Sequence, residues 1–496
     1  MNLEITMKKP GIARINFFDN YGEFEQLKDK FSITQKNFAY IKRCKGLGAR
    51  INPAKETIKK SVIKFNGEFE LGLLFDVLKF CKDNFYNRTV NIKVDDEIKQ
   101  YIKSNNFKLD TDVYVNDNGD KIRDYQEKSM QIALNKENGV FILGTGAGKT
   151  ICCALLIHNL LKYNICKKIL LICPFPDLAN QTYKEISKSL QKYSYKITRF
   201  FQKFPFEKDS QVIICGSDIL RSQFKELKKD LMEFDGVIVD EVHQIKSGNK
   251  ISAVLKEFKT TKKYGFTGTL PSNDIDKWSL LGKIGPVRFN LPSVELRDNK
   301  FLTPVKVLGI KLNVDNIPTK IYDEEGNELP FTYQDEVEWL AENNQFNTQI
   351  AEITNKLKGN TLILINRLIH VETLKNLNFN KQVYIIQGEV PLDERDDIKK
   401  AMENNNDILV IAQVSTFSTG INVKNISNIV FPGTIGKSNI RIVQSIGRSL
   451  RLKEGKLMST IIDIIPNTKY ALRHWEERKK IYDSEVIPFK ELNLRI

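Results

Sequence analysis

Lys149 and Thr150 close the run GVFILGTGAGKT (139–150), in which Gly144, Gly146 and Gly148 stand two residues apart. Glycines spaced this way lack β-carbons, so the chain can curl until several backbone N–H groups converge on one anion. An ammonium and a hydroxyl at the end of such a bend suit the β- and γ-phosphates of a nucleotide and a Mg2+ ion, respectively. Leu143 stands where the strict pattern G-x-x-x-x-G-K-[ST] has its first glycine, and a ligand-free turn is the plainer alternative. About ninety residues later, GVIVDEVH (236–243) ends an apolar run in Asp240 and Glu241. Asp240 can hold Mg2+ through water, and Glu241 can orient and deprotonate an attacking water. An ordinary acidic strand end is the alternative there. RIVQSIGRSLR (441–451) sets Gln444, Arg448 and Arg451 about one helical turn apart, on one face. Guanidinium forks spread positive charge over the oxygens of a transferring phosphoryl group. If Arg448 and Arg451 reach a γ-phosphate held by the glycine bend, hydrolysis removes their ligand and opens a cleft between two lobes. Otherwise the segment is a basic amphipathic helix.

Chemistry of this kind needs strands that deliver their loops to one edge. Val140 to Leu143 suits a buried parallel strand, and Ile151 to Leu161 suits a packed helix. Strands are expected at 140–143, 167–173, 211–215, 236–239 and 263–267, with helices at 176–192 and 247–258. That rhythm is a doubly wound parallel α/β domain. A second such domain has strands at 361–365, 382–386, 407–412, 428–431 and 459–465. Its helix at 391–404 is opened by Pro391 and the acidic pair Asp393 and Glu394. Residues 313–347 are acidic and turn-rich, and read as an exposed insertion or lid. Gly285, Pro286, Pro292 and Pro304 mark a linker within 285–304. The expected division is therefore 1–110, a small basic α+β domain; 111–290; 291–465; and 466–496, a helical tail.

A chain of 496 residues is too long for one core. Its net charge of +15, from 76 basic and 61 acidic residues, points to a polyanionic partner. Residues 36–64 hold nine Lys or Arg against one acid, with Phe38 and Tyr40 interleaved. Lys42, Arg43, Lys45 and Arg50 would contact a nucleic-acid backbone there, with a solvated basic face as the alternative. Seven cysteines without a C-x-x-C pair and four scattered histidines speak against structural zinc and for core cysteines in a reducing compartment. No apolar run has the length of a membrane span, and the start MNLEITMKKPG lacks a signal-peptide core. A cytoplasmic location is expected, in the host cell if the source is viral.

LGTGAGKT, DEVH and QSIGRSLR, in that order over two α/β domains, resemble motifs I, II and VI of superfamily 2 helicases. The resemblance spans roughly residues 120–465 and implies two tandem RecA-like domains that use ATP and Mg2+. Gly144, Thr145, Gly146, Ala147 and Gly148 would then surround the phosphates. RDYQ resembles the Q motif, which implies nucleotide contacts at Arg123 and Gln126, the latter reading the adenine edge. CPFPDLANQ (173–181) resembles motif Ia, with Pro174, Asn180 and Gln181 near the nucleic-acid backbone. FTGTL (266–270) resembles motif III, whose Thr267, Gly268 and Thr269, with His243, would couple the ATP site to the nucleic-acid track. STGINV (418–423) resembles motif V, placing Ser418 and Thr419 on nucleic acid and Gly420 and Asn422 on the nucleotide. Asn422 stands where many members have Asp, so its ribose contact is open. Gly216, Ser217 and Gly388 would also touch nucleic acid. The segments at 69–85, 417–425 and 474–483 look like UvsW-type phage helicases. That likeness implies a monomeric motor on branched, duplex and single-stranded DNA, for branch migration, fork regression and strand annealing in recombination and repair. An RNA helicase or restriction-type translocase shares the core motifs, although DEVH leans away from DEAD-box unwinding and no nuclease or methyltransferase motif is visible. A non-hydrolysing scaffold is opposed by the joint presence of Lys149, Asp240, Glu241, Arg448 and Arg451.

Overall fold

Short runs of aliphatic residues bounded by turn residues become strands buried on both faces when helices cover the sheet. The computed structural model describes the chain except residues 1, 18–20, 37–56, 86–90, 117–118, 145, 203, 246–247, 300, 323–324, 389, 415–424, 435–457 and 494–496. Contacts divide it into two units, residues 1–143 with 148–290, and residues 144–147 with 291–496.

The first unit begins with β1 (Asn2–Lys9), β2 (Ile12–Phe17), β3 (Ser32–Lys36), β4 (Thr57–Ser61), β5 (Glu68–Glu70) and β6 (Asn91–Val94). β5-β2-β1-β6 form a mixed sheet and β3-β4 a separate hairpin. This α+β region packs on the helix Asp274–Ile284 with no clearance. A β-carbon on Gly72 would lie 1.9 Å from the Leu281 carbonyl oxygen. Phe31 meets Trp278 at 5.4 Å between ring centroids. The buried Lys283 ammonium reaches Glu70 at 3.0 Å and also donates to Ser279. The apolar residues on the two sides form one continuous core.

Next come β7 (Gly139–Leu143), β8 (Ile169–Cys173), β9 (Ile197–Phe200), β10 (Val212–Gly216), β11 (Gly236–Val239), β12 (Lys263–Thr267) and β13 (Val287–Leu291). They form one sheet in the order β13-β7-β12-β11-β8-β10-β9, with parallel pairing from β7 through β9. Parallel strands all end at the same edge, so the loops after β7, β11 and β12 emerge side by side. The motifs gather there because their strands are neighbours.

The second unit carries β14 (Val305–Leu312), β15 (Lys320–Tyr322), β16 (Glu328–Pro330), β17 (Thr361–Ile365), β18 (Gln382–Ile386), β19 (Ile408–Gln413), β20 (Asn428–Phe431), β21 (Ser459–Pro466) and β22 (Phe489–Asn493). Its parallel sheet runs β18-β19-β17-β20-β21-β14-β22. Two expectations need amending. Within 313–347 the β15-β16 hairpin is indeed largely exposed, but Tyr333–Glu342 and the start of Asn344–Asn355 are helical and bury Val337, Leu340 and Phe346. Glu336 is buried there too, because its carboxylate accepts from Thr468 Oγ1 and from the N–H groups of Tyr470 and Ala471. It thus caps the helix Lys469–Ser484 from outside, as an acid suits a helix N-terminus. The last thirty residues are not helical throughout, since β22 joins the sheet beside β14. Arg478 holds this segment down through a fully buried two-pronged bond to Asp463, at 2.7 and 2.8 Å.

The architecture is α/β: two tandem RecA-like parallel-sheet domains preceded by a small α+β region. Among the described residues no helix is long and apolar enough to cross a membrane.

Candidate functional site

The helix Lys149–Lys162 starts at once after the glycine bend, with Gly148 as its N-cap at φ 78°. Gly146 also lies in the left-handed region, at φ 88°, where a β-carbon would be strained. Space is short as well. A β-carbon on Gly148 would stand 2.5 Å from Gln126 Nε2, and one on Gly144 2.6 Å from Ser293 Oγ. So the Gln126 side chain packs against the end of the bend, while its Oε1 accepts the Arg123 backbone N–H at 3.0 Å. Arg123 donates from Nη1 to the Tyr125 hydroxyl at 2.9 Å. On the other flank, Gly144 N–H donates to the Leu291 carbonyl at 2.9 Å, and Leu302 lies over Gly146. Ala147 is fully buried, and Thr150 is half-buried in the first turn of the helix.

Lys149 Nζ lies 3.3 Å from Glu241 Oε1. The phosphate-loop lysine and the strand-end carboxylate, 92 positions apart in the chain, therefore meet at the sheet edge. Glu241 adopts a left-handed backbone, φ 47°, and its N–H donates to Asp240 Oδ1 at 2.8 Å. A non-glycine residue there stores about 1–2 kcal/mol of strain, which directs the carboxylate toward Lys149 instead of along the strand. Burial and the neighbouring Glu241 charge push the Asp240 carboxyl up. Burial would push Glu241 up too, but Lys149 and His243 outweigh it and hold that carboxyl below its ordinary range. Since the two acids titrate together, the dyad is best described as one ionised carboxylate beside one that resists ionisation.

His243 has a defined tautomer. Thr267 Oγ1 donates to the Thr269 carbonyl at 2.7 Å, so in its contact with His243 Nδ1 at 2.9 Å it accepts the hydrogen bond of the ring N–H. The Gln244 carboxamide, 3.2 Å from Nε2, supplies the matching donor on the far side. Glu241 Oε2 lies 3.3 Å from His243 Nδ1 but receives no hydrogen bond, because that N–H is spent on Thr267. Lys149 thus pairs with Glu241, and a hydrogen-bonded chain runs from His243 through Thr267 to Thr269, with Gly268 in the turn between the threonines; Glu241 and His243 are adjacent but not bonded. A half-buried carboxylate pair, with Asp240 resisting ionisation and one Glu241 oxygen unsatisfied, fits a divalent cation nearby, and Thr150 and Asp240 are the residues that could hold it.

Along the same edge, Ser217 Oγ donates to the Pro174 carbonyl at 3.0 Å, tying together the starts of the helices Pro176–Ser189 and Ser217–Leu231, the second capped by Gly216. Asn180 Oδ1 accepts from Arg199 at 2.7 Å, and Gln181 donates to Glu185 at 2.6 Å. Gly388 is exposed in the turn after β18, where its carbonyl accepts from Arg395 at 2.9 Å. Lys42, Arg43, Lys45, Arg50, Thr145, Ser418, Thr419, Gly420, Asn422, Gln444, Arg448 and Arg451 lie outside the described residues. Sequence reasoning missed Leu302 and Ser293, whose partners are distant in the chain, and Arg199, which forms no motif with the residues it meets.

Two family models match in the order of the two sheets. The type III restriction enzyme res subunit model covers residues 120–272, and the helicase conserved C-terminal domain covers residues 344–453. The chain is a superfamily 2 helicase. It is an ATPase that binds nucleic acid. Over 510 aligned residues the helicase is 26% identical to the "ATP-dependent DNA helicase uvsW" of Enterobacteria phage T4, with 95% of this chain and 96% of the relative covered. It is 23% identical to a "DNA 3'-5' translocase XPB2" of Sulfurisphaera tokodaii, over 70% of this chain and 81% of that one. Solved structures agree in fold. A fragment of a putative HsdR subunit of a type I restriction enzyme from Vibrio vulnificus superposes with TM-score 0.57 at 16% identity, covering 92% of the helicase and 82% of the fragment. Dbp5 of S. cerevisiae, bound to RNA and ADP BeF3, gives 0.54 at 14% identity, covering 76% and 91%.

Proposed function

We propose that the helicase is an ATP-driven motor on branched DNA, serving branch migration and fork regression in recombination and repair. The observation that carries this reading is the likeness to the T4 helicase, which covers 95% of the chain and so includes the N-terminal α+β region that neither family model touches. A type I restriction relative from Escherichia coli covers 71% of this chain but only 47% of its own length.

In this reading the backbone N–H groups of the glycine bend and Lys149 bind the ATP phosphates. Thr150 and Asp240 would hold Mg2+, which supplies charge neutralisation for the phosphates when bound. Glu241 orients and deprotonates the attacking water. The hydrogen-bonded chain through His243, Thr267 and Thr269 supports a role in relaying the state of Glu241 to the neighbouring loop. Arg448 and Arg451, by the motif VI resemblance, would contact the transferring phosphoryl group, and the DNA track would follow Pro174, Gly216 and Ser217 and engage Lys42, Arg43, Lys45 and Arg50. The test compares stimulation of ATP hydrolysis by a four-way DNA junction, linear duplex, single-stranded DNA and RNA of equal length. Strongest stimulation by the junction is expected; a strong preference for RNA would overturn the reading.

A further inference from the structure

β8, β10 and β9 are neighbours in the first sheet, so the residues at their ends form one rim: Pro174, Gly216 with Ser217, and Phe201, Gln202 and Phe204. A β-carbon on Gly216 would lie 3.7 Å from Phe201 Cβ, which shows how closely the ends of β10 and β9 meet. Near this rim Arg199, on the edge strand β9, is held with unusual care. Its Nη1 donates to Asn180 Oδ1 at 2.7 Å. Its guanidinium carbon lies 3.5 Å from the Phe204 ring centroid and 4.9 Å from that of Tyr183. Yet among the described residues no carboxylate pairs with it, and no other hydrogen bond engages its remaining N–H groups.

That combination is informative. A guanidinium fixed by one neutral acceptor and two aromatic faces has lost its side-chain entropy in advance, while its charge stays uncompensated. An arginine needed only to tie an edge strand down would be served by a carboxylate. One held rigid and left positive is poised for an anion from outside. The neighbouring Asn180 and Gln181 are neutral and make bonds to Arg199 and Glu185, so Arg199 carries the positive charge here.

We infer that Arg199 is the centre of a phosphate subsite on the nucleic-acid track, with Asn180, Tyr183 and Phe204 as its positioning residues. This rests on the reading of that rim as the track. Its ligand is a backbone phosphate of a bound strand, contacted without regard to base. No sequence motif singles the residue out, because it lies on a short edge strand, ITRF, that mixes polar with apolar residues.

The experiment measures binding of the full chain to linear duplex DNA, single-stranded DNA and RNA of equal length, by anisotropy across a salt series. Arg199→Gln keeps an amide for Asn180 and much of the stacked volume, and it removes the charge. One lost phosphate contact should lower the slope of log K against log salt by about 0.9 on duplex or about 0.7 on a single strand. On duplex that is about an eightfold loss of affinity at 0.1 M salt. Arg199→Lys should restore the slope, with affinity between the two. The arm in which the slope falls identifies the strand held there. A merely structural arginine would change melting temperature and leave the slope alone, and that result overturns the inference, as does a slope that Arg199→Lys fails to restore. Should the wild-type chain bind none of the three polymers, the reading of the rim falls with it. If it binds and Arg199→Gln binds alike, only this inference falls.

Discussion

Glu241→Gln should move catalysis and ATP affinity in opposite directions. The substitution keeps the size of the side chain and removes its charge and basicity. If Glu241 is the general base proposed above, it supplies a factor of about 10²–10⁴ in turnover, and the rate at saturating ATP and DNA should fall by that much. Affinity follows from the contact with Lys149. At 3.3 Å, and with an effective dielectric constant of about 20, the gross attraction between the two charges is about 5 kcal/mol. Phosphates that take over Lys149 recover most of it, because they offer the lysine anionic partners of their own. Both side chains also keep some water contact, at 16 and 17% exposure, which screens the pair further. A remainder of about 1 kcal/mol would be released when Glu241 stops competing, tightening ATP binding about fivefold. Titration with a fluorescent ATP analogue gives the affinity, and single-turnover hydrolysis gives the rate. Weaker binding in Glu241→Gln, or turnover within tenfold of wild type, would refute the assignment of base and competitor to one carboxylate.

Glu70→Ala strands the Lys283 ammonium, whose side chain is only 4% exposed, and should cost about 3 kcal/mol in urea denaturation. Adding Lys283→Met should return most of it, and failure to do so would mean the pair is not what joins the α+β region to the helix Asp274–Ile284. Asp463→Asn leaves the fully buried Arg478 without its carboxylate and should destabilise the second unit by about 3–5 kcal/mol; a loss under 1 kcal/mol in the same assay would argue against the pair. Lys311, against the opposing effect of burial and with help from Trp475 and Lys479, holds the Glu491 carboxyl down to about 2. A depressed carboxyl stabilises the fold above its unfolded value and loses that contribution as pH falls toward the folded one, so melting temperature should fall less steeply between pH 5 and 3, to order of magnitude, in Glu491→Gln than in wild type. Equal slopes would rule Glu491 out as the group responsible.

Most of the central sheet was legible because burial on both faces demands unbroken apolar runs. Strands at 236–239, 263–267, 361–365 and 428–431 have the bounds that composition alone suggested, as does the edge strand 382–386. The other edges were not legible. ITRF, VRFNL and FKELN mix polar with apolar residues, as strands with one open side must, and nothing local separates them from loops. Residues 333–342 were masked by their acids. The spacing of Val337, Leu340 and Ala341 was there to be seen, but Glu336 reads as surface until its partner, the N-terminus of Lys469–Ser484, is known.

The same distinction governs the site. Lys149 and Glu241 could be paired from sequence because both follow apolar strands, and parallel strands that share a sheet deliver their loops to one edge whatever lies between them. What sequence could not supply is the geometry that gives the pair its chemistry. The left-handed turn at Glu241 has no glycine to announce it, so the strain shows only once the backbone is seen. Gln126 against Gly148, Leu302 over Gly146 and Asn180 with Arg199 depend on side chains meeting across elements, and such contacts leave no periodic trace in either partner. Positions set by topology could therefore be read along the chain, whereas positions set by packing could not. The two carboxylates belong to the first kind, and the arginine on the rim belongs to the second.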